Sequence, residues 1–224
     1  SSLVGSEMCI RDSFDVTIVR DGSILGARGA IDISDPNSQD AIGKVNLRST
    51  VTGYYLRKFL DTNINLSAQT ITSTYHYFPV IRLADIYLLY AEAMNEAYGP
   101  NDAADLGWTA LEALNKVRTR AGITVPYTTT SQTEMTKKIR NERRVELAFE
   151  DQRYFDLRRW KTAEKDLNQP LMGFRIERQD NGVVSTHEFV VDGQRKFNTK
   201  MYYSPIPYSE MQLNTNLVQN PGWR

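Results

Sequence analysis

Two carboxylates ten positions apart, Glu146 and Asp156, lie in the segment ERRVELAFEDQRYFDLRRW at residues 142–160. A carboxylate pair is the equipment of a glycoside hydrolase: one acid protonates the leaving oxygen and the other attacks or activates water. The spacing does not suit that chemistry. Ten residues of continuous helix rise about 15 Å, beyond the separation of either glycosidase class. The segment also carries five arginines against its five acids. Arginine pairing keeps a carboxylate ionised, which is wrong for a general acid. The residues therefore predict no enzyme. The arginines do not predict nucleic-acid binding either, because a phosphate-binding stripe leaves its cations unmatched.

The rest of the composition agrees. Lys plus Arg equals Asp plus Glu, 27 against 27, so no global field steers a polyanion or an anionic membrane. One cysteine, Cys9, permits no disulfide within the chain. The two histidines, His76 and His187, are far apart, and no His or Cys cluster has metal-ligand spacing. No metal or cofactor is expected. No apolar run is long enough to span a membrane.

The charged segment must be positioned by helices. RLADIYLLYAEAMNEAYG, residues 82–99, has helical spacing through Leu83, Ile86, Tyr87, Tyr90, Met94 and Ala97, and Gly99-Pro100 ends it. Leu88, Leu89, Ala91 and Ala93 make its other sides apolar too, so it should pack on more than one side. A second helix is expected from about Asp102 to Ala121, with cations in its last turns and Gly122 beyond. A tight turn would make these two an antiparallel hairpin of tetratricopeptide type, in a single clear copy. A third helix starts near Ser131, where Ser131 and Glu134 are spaced as a capping box.

That third helix explains the charges. With Met135 at zero on a helical wheel, Ile139, Glu142, Glu146, Phe149 and Arg153 fall within about 40° of it. If the helix persists, Asp156, Leu157 and Trp160 stay near the stripe, while Arg144 points away. Glu142, Glu146, Arg153 and Asp156 thus continue an apolar face as buried or half-buried charges that need partners. Candidate partners are Arg153 itself, Arg82, Arg118 and Arg120. Elsewhere the chain is looser. FDVTIV reads as a strand, residues 14–50 otherwise as turns, GFRIER and THEFVV as a hairpin around Asp180-Asn181-Gly182, and SEMQL as a helical turn.

Five segments in order, RLADIYLLYAEAMNEA, ALNKVRTRAGI, IRNERRVELAFEDQRYFDLRRW, YYSPIPYSEM and NLVQNPGW, carry a resemblance. With TGYYLRKF upstream, residues 52–224 resemble the C-terminal part of the SusD/RagB family of Bacteroidetes surface lipoproteins. Asp151 stands where that family often has Gly, and Phe155 where it often has Trp or Tyr. The resemblance implies a mainly α fold, with tetratricopeptide-like helical hairpins, irregular loops and a small β-hairpin. It divides the chain into a loop-rich middle segment at 14–80 and a helical C-terminal region at 81–224. It implies a non-catalytic protein lipid-anchored on the extracellular face of the outer membrane. There it captures glycan or oligosaccharide over a SusC-like TonB-dependent transporter. The signal and lipidated Cys of such proteins are not seen in this sequence, so the chain reads as a C-terminal fragment. SSLVGSEMCIRDS at 1–13 resembles translated sequencing-adapter read-through, or else a disordered tail, and Cys9 is not the lipid anchor.

Sugar recognition uses aromatic faces flanked by hydroxyl-binding polar groups. The candidates are Tyr75, His76 and Tyr77 on a loop, and Tyr54 beside Tyr55. Each could instead pack inward, and Trp108 and Trp160 read as core. The alternative function is a helical-repeat scaffold that binds protein and no sugar.

Overall fold

The computed structural model describes residues 14–42, 49–61, 77–179 and 181–223. Its centre is three helices: α1 (Leu83–Tyr98), α2 (Ala110–Arg120) and α3 (Gln132–Glu146). One core joins them. Ala84, Leu88, Ala91 and Met94 of α1 meet Ala113, Leu114 and Val117 of α2, and Met135 and Ile139 of α3. Leu88 and Leu114 are fully buried, each worth about 2 kcal/mol against exposure. Alanine on the facing surfaces of α1 and α2 lets their backbones approach closely. A buried amide ties α1 to α3. Asn95 Nδ2 donates to the Gln132 carbonyl (3.1 Å) and to Thr136 Oγ1 (2.9 Å), and Gln132 Nε2 donates back to the Asn95 carbonyl (2.6 Å).

The helix ends follow local chemistry. Gly99, at φ +85°, stops α1. α2 begins eight residues after the expected Asp102, because Thr109 and Glu112 form the capping box there. Thr109 Oγ1 accepts from Glu112 N (3.1 Å), and Glu112 Oε2 accepts from Thr109 N (2.8 Å). The stretch before it turns through positive φ at Ala104, Asp105 and Gly107, so the α1–α2 link is a structured loop rather than a tight turn. Ser131 Oγ caps α3 by accepting from Glu134 N (3.3 Å), but the Glu134 carboxylate accepts from Thr129 Oγ1 (2.8 Å) instead of closing the box.

α3 does not run through to Trp160. It ends at Glu146, and Phe149 (φ +63°) and Asp151 (φ +60°) turn the chain before α4 (Gln152–Arg159). The uninterrupted stripe expected as far as Arg153 and Asp156 is thereby corrected. Phe149 is exposed, while Asp156 and Leu157 are buried from a new direction. A short α5 (Ala163–Leu167) follows, and Leu157 and Ala163 pack with Phe197 in a second core.

Short strands flank the helices. Phe14–Thr17 is one helical turn, so only the end of FDVTIV is a strand. β1 (Ile18–Val19) pairs antiparallel with β4 (Tyr55–Leu56), and β2 (Ile24–Leu25) with β3 (Gly29–Ala30). Val19, Ile31 and Ile33 form their core. β5 (Leu171–Arg178) and β6 (Val184–Asp192) make the expected hairpin, although Asp180 at its turn lies outside the described residues. α6 (Tyr208–Leu213) is the helical turn at SEMQL. Among the described residues no helix is long and apolar enough to cross a membrane.

Candidate functional site

The C-terminus of α3 organises the surroundings. Its last carbonyls lack helical partners and carry the negative end of the helix dipole. Lys58 Nζ donates to the carbonyls of Glu146 (3.1 Å) and Ala148 (3.0 Å), and Arg82 Nη2 to that of Glu146 (2.6 Å). The same cations serve two carboxylates. Arg82 binds Glu146 through Nη1 (2.6 Å) and Glu150 through Nε (2.6 Å). Lys58 also pairs with Glu150, and Arg120 with Glu146. One turn earlier, Arg118 Nη1 meets Glu142 (3.2 Å) while its guanidinium lies 3.5 Å from the Tyr127 ring centroid.

A second network lies beneath. Arg143, whose side chain is 1% exposed, donates to Asp85 (2.7 Å) and, through Nε and Nη2, to both oxygens of Asp156 (2.9 and 3.2 Å). Arg159 Nε also reaches Asp156 (2.9 Å), and Arg159 with Trp160 Nε1 (2.7 Å) holds Glu92. These carboxylates are occupied by arginine, which suits docking of helices and not proton transfer.

Titration follows from these contacts. Burial pushes Glu92 up, but hydrogen bonds from Arg159 and Trp160 outweigh it and hold the carboxyl below its ordinary 4.5. Glu150 is likewise raised by burial and lowered further by Arg82 and Lys58. Depressed carboxylates stabilise the fold above their unfolded value and lose that contribution as pH falls through the folded one. Glu142 is the opposite case: burial raises it despite Arg118, so its contribution fades as pH rises through its folded value. We expect the melting temperature to fall as pH is lowered from about 5 to about 2. Glu92→Gln should flatten that acid limb. An unchanged limb in the variant would remove Glu92 from the account.

Three adjoining hollows run over this region. A cleft of about 450 Å³ is bounded by Lys58, Phe59, Pro79, Arg82, Val145 and Glu146. It shares Arg82 and Arg120 with a hollow of about 240 Å³ floored by Leu83, Tyr87 and Val117. That hollow shares Lys116 and Arg120 with an open depression of about 480 Å³ beside Trp108, Asn115 and Thr119. Aromatics mark both ends. Phe59 packs on Phe78 (centroids 5.0 Å apart) at one end. At the other, Trp108 is 39% exposed and fixed by neighbours. It rests on Tyr87 (5.4 Å) and under Lys116 Nζ (4.2 Å), and its carbonyl accepts from Tyr90 Oη (2.8 Å).

Comparison with known proteins gives this furrow a context. The SusD family model matches residues 14–223. The chain belongs to the SusD family. Two SusD-like proteins of Formosa agariphila are 33% and 31% identical over 159 residues, covering 65% and 67% of this chain and 24% and 26% of their own lengths. A solved SusD-like protein from Bacteroides fragilis is 29% identical at a TM-score of 0.77, covering 94% of this chain and 38% of that one. A SusD-like carbohydrate binding protein from the same species is 27% identical at a TM-score of 0.70, covering 92% and 41%. The chain therefore spans about a quarter of the length of the curated relatives it matches. Its mainly helical architecture is SusD-like.

Within this SusD-family chain the residues singled out from sequence fall differently. Tyr75 and His76 lie outside the described residues. Tyr77 is open to solvent, two residues before Pro79, which bounds the cleft. Tyr54 is half-buried, edge-on to Phe14 (5.7 Å) and Phe174 (6.0 Å), away from the furrow's lining. Glu142 is buried against Arg118, Glu146 is half-buried against Arg82 and Arg120, and Asp156 is buried against Arg143 and Arg159. Arg153 joins none of these. It pairs with Asp166 (3.1 Å) near the surface, because the break after Glu146 rotates it off the stripe. Two residues escape sequence reasoning. Arg143 lies about 80° from the wheel's zero, outside the apolar stripe. Trp108, expected in the core, sits in the loop that precedes the true start of α2. Thr109 and Glu112 carry the signal for it, since they place Trp108 outside that helix.

Proposed function

We propose that this chain is part of a non-catalytic surface protein that captures oligosaccharide for a SusC-like TonB-dependent transporter at the outer face of the outer membrane. The observation that carries the reading is the furrow from Phe59 and Phe78 to Trp108. Aromatic surfaces at its ends suit the apolar faces of pyranose rings, and Thr119, Lys116 and Arg120 between them suit hydroxyls. Membership of the SusD family, which includes a carbohydrate binding protein, supports the same reading. The carboxylates along the furrow are engaged by Arg82, Arg120 and Lys58, which favours capture over hydrolysis.

The test is affinity electrophoresis of the purified protein through gels containing neutral and acidic polysaccharides. Retardation by at least one polymer is expected, with no reducing sugar released. Trp108→Ala and Tyr77→Ala should each weaken that binding by about fivefold to tenfold, the scale of one aromatic contact. Failure of the full-length protein to bind any glycan would overturn the reading in favour of a scaffold that binds protein alone. Release of reducing ends would make it an enzyme.

A further inference from the structure

The furrow changes character between Phe59 and Trp108. Its middle hollow is lined by three cations, Arg82, Lys116 and Arg120, and by no acid among the described residues. The chain as a whole carries no net charge, so the cluster is a local feature. The three cations differ in what they are already bound to. Arg82 is fully committed, donating to Glu150, to Glu146 and to the Glu146 carbonyl. Arg120 pairs with Glu146 through Nη2 alone, and its side chain is 63% exposed. Lys116 is exposed and forms no ion pair with a carboxylate among the described residues. Glu112, one turn back on the same face, turns instead to Thr109, accepting from its N–H (2.8 Å) and from its Oγ1 (3.0 Å). The Lys116 ammonium lies over Trp108, 4.2 Å from the ring centroid. The negative end of the α2 dipole accounts for Arg120 in the last turn of that helix, but not for Lys116 a turn earlier.

We propose that the furrow takes an anionic pyranose, one bearing a carboxylate or a sulfate ester, and that Lys116 and Arg120 hold its charge. The proposal rests on the reading of the furrow as a glycan site and names the class of glycan. Trp108 carries the argument. The indole rests against Tyr87 (5.4 Å) with Lys116 over its ring. A pyranose that stacks on the face under Lys116 must displace the ammonium, which gives up its attraction to the ring. A neutral sugar offers the displaced ammonium only hydroxyls. An anionic sugar offers it a counter-ion, and a hydrogen bond between charged groups is stronger than one to a hydroxyl. Arg120 stands four residues further along α2, so the two cations are neighbours on one helix face. Exposed Thr119 beside them supplies a hydroxyl. A hollow lined by cations over apolar Leu83, Tyr87 and Val117 also concentrates an anionic ligand. The acids towards Phe59, Glu146 and Glu150, are each paired with two cations, which blunts their repulsion.

The test sets anionic polymers against neutral ones of the same backbone in affinity electrophoresis of the full-length protein. Homogalacturonan and glucuronoxylan are each paired with their carboxyl-reduced forms, and carrageenan with its desulfated form. The anionic member of one pair is expected to bind about tenfold more tightly at low salt, and the gap should narrow at about 0.5 M salt as the exposed charges are screened. The pair that shows the gap tells carboxylate from sulfate. Lys116→Gln should weaken the anionic member by about fivefold more than the neutral one, and Lys116→Arg should keep the preference. Lys116→Gln breaks no ion pair among the described residues, so it strands no carboxylate, and circular dichroism checks that the variant is folded. Neutral members bound as tightly as anionic ones would overturn the anionic class and leave glycan capture standing. A preference that survives Lys116→Gln would put the charge recognition elsewhere and overturn the assignment to this furrow. Retardation by no polymer at all would overturn the capture reading, and the anionic class with it.

Discussion

Arg143→Ala is expected to destabilise the chain by about 3–5 kcal/mol, the cost of stranding buried charges by removing their partner. The guanidinium bridges Asp85 on α1 and Asp156 on α4, and its own side chain is almost inaccessible. Its removal leaves the Asp85 carboxylate buried without that cation, and leaves Asp156 to Arg159. Arg143→Lys should recover part of the loss, since a lysine ammonium cannot reproduce the two-pronged contact to Asp156. A triple replacement of Arg143, Asp85 and Asp156 by apolar residues of similar volume should be less damaging than the single alanine. An apolar cluster leaves no buried charge unpaired. Urea unfolding followed by circular dichroism reads all three. A single alanine that costs less than about 1 kcal/mol would mean that water reaches Asp85 and Asp156 as readily as Arg143 does.

Gly53→Ala should cost about 3 kcal/mol, combining backbone strain with overpacking. Gly53 has φ +84°, and a Cβ there would stand 2.1 Å from the carbonyl oxygen of Phe174. That oxygen belongs to β5, whose Phe174 N–H in turn donates to the Thr52 carbonyl (2.9 Å). The close approach fastens the β5–β6 hairpin to the segment that carries β4, and Tyr54 packs edge-on to Phe174 beside it. Gly22→Ala is the control. Gly22 has a similar φ of +78° but open space around its Cβ position, so it should show the backbone term alone, about 1 kcal/mol. Unfolding midpoints measure both, and limited proteolysis within residues 171–192 reports whether the hairpin is released. Equal costs at the two glycines would mean that Phe174 yields and that the clash is relieved cheaply.

Sequence reached some of the molecule and stopped at identifiable places. The length of α1 and the start of α3 were legible because they depend on spacing within one helix and on stop and cap residues next to it. The inward position of Glu142 and Glu146 was legible for the same reason: each lies on the line through Met135 and Ile139. The start of α2 was misplaced by eight residues, although Thr109 and Glu112 carried the signal. The break between α3 and α4 was not legible. Phe149 and Asp151 adopt left-handed backbone without being glycine, which no local turn rule anticipates. That break moved Arg153 from the stripe to the surface and brought Asp156 against Arg143.

By itself, then, the sequence determined that residues 82–99 form a helix, where that helix ends, and that carboxylates would sit on the inner face of α3. All of these are written in residues within a few turns of one another. Only the tertiary structure decided which arginine each carboxylate meets. It also decided that Arg143 is the central cation, that Trp108 stands open at the end of a furrow and that one of the apolar sides of α1 stays exposed. Those facts join residues scores of positions apart, and their energies depend on burial and distance that periodicity along a single helix does not encode.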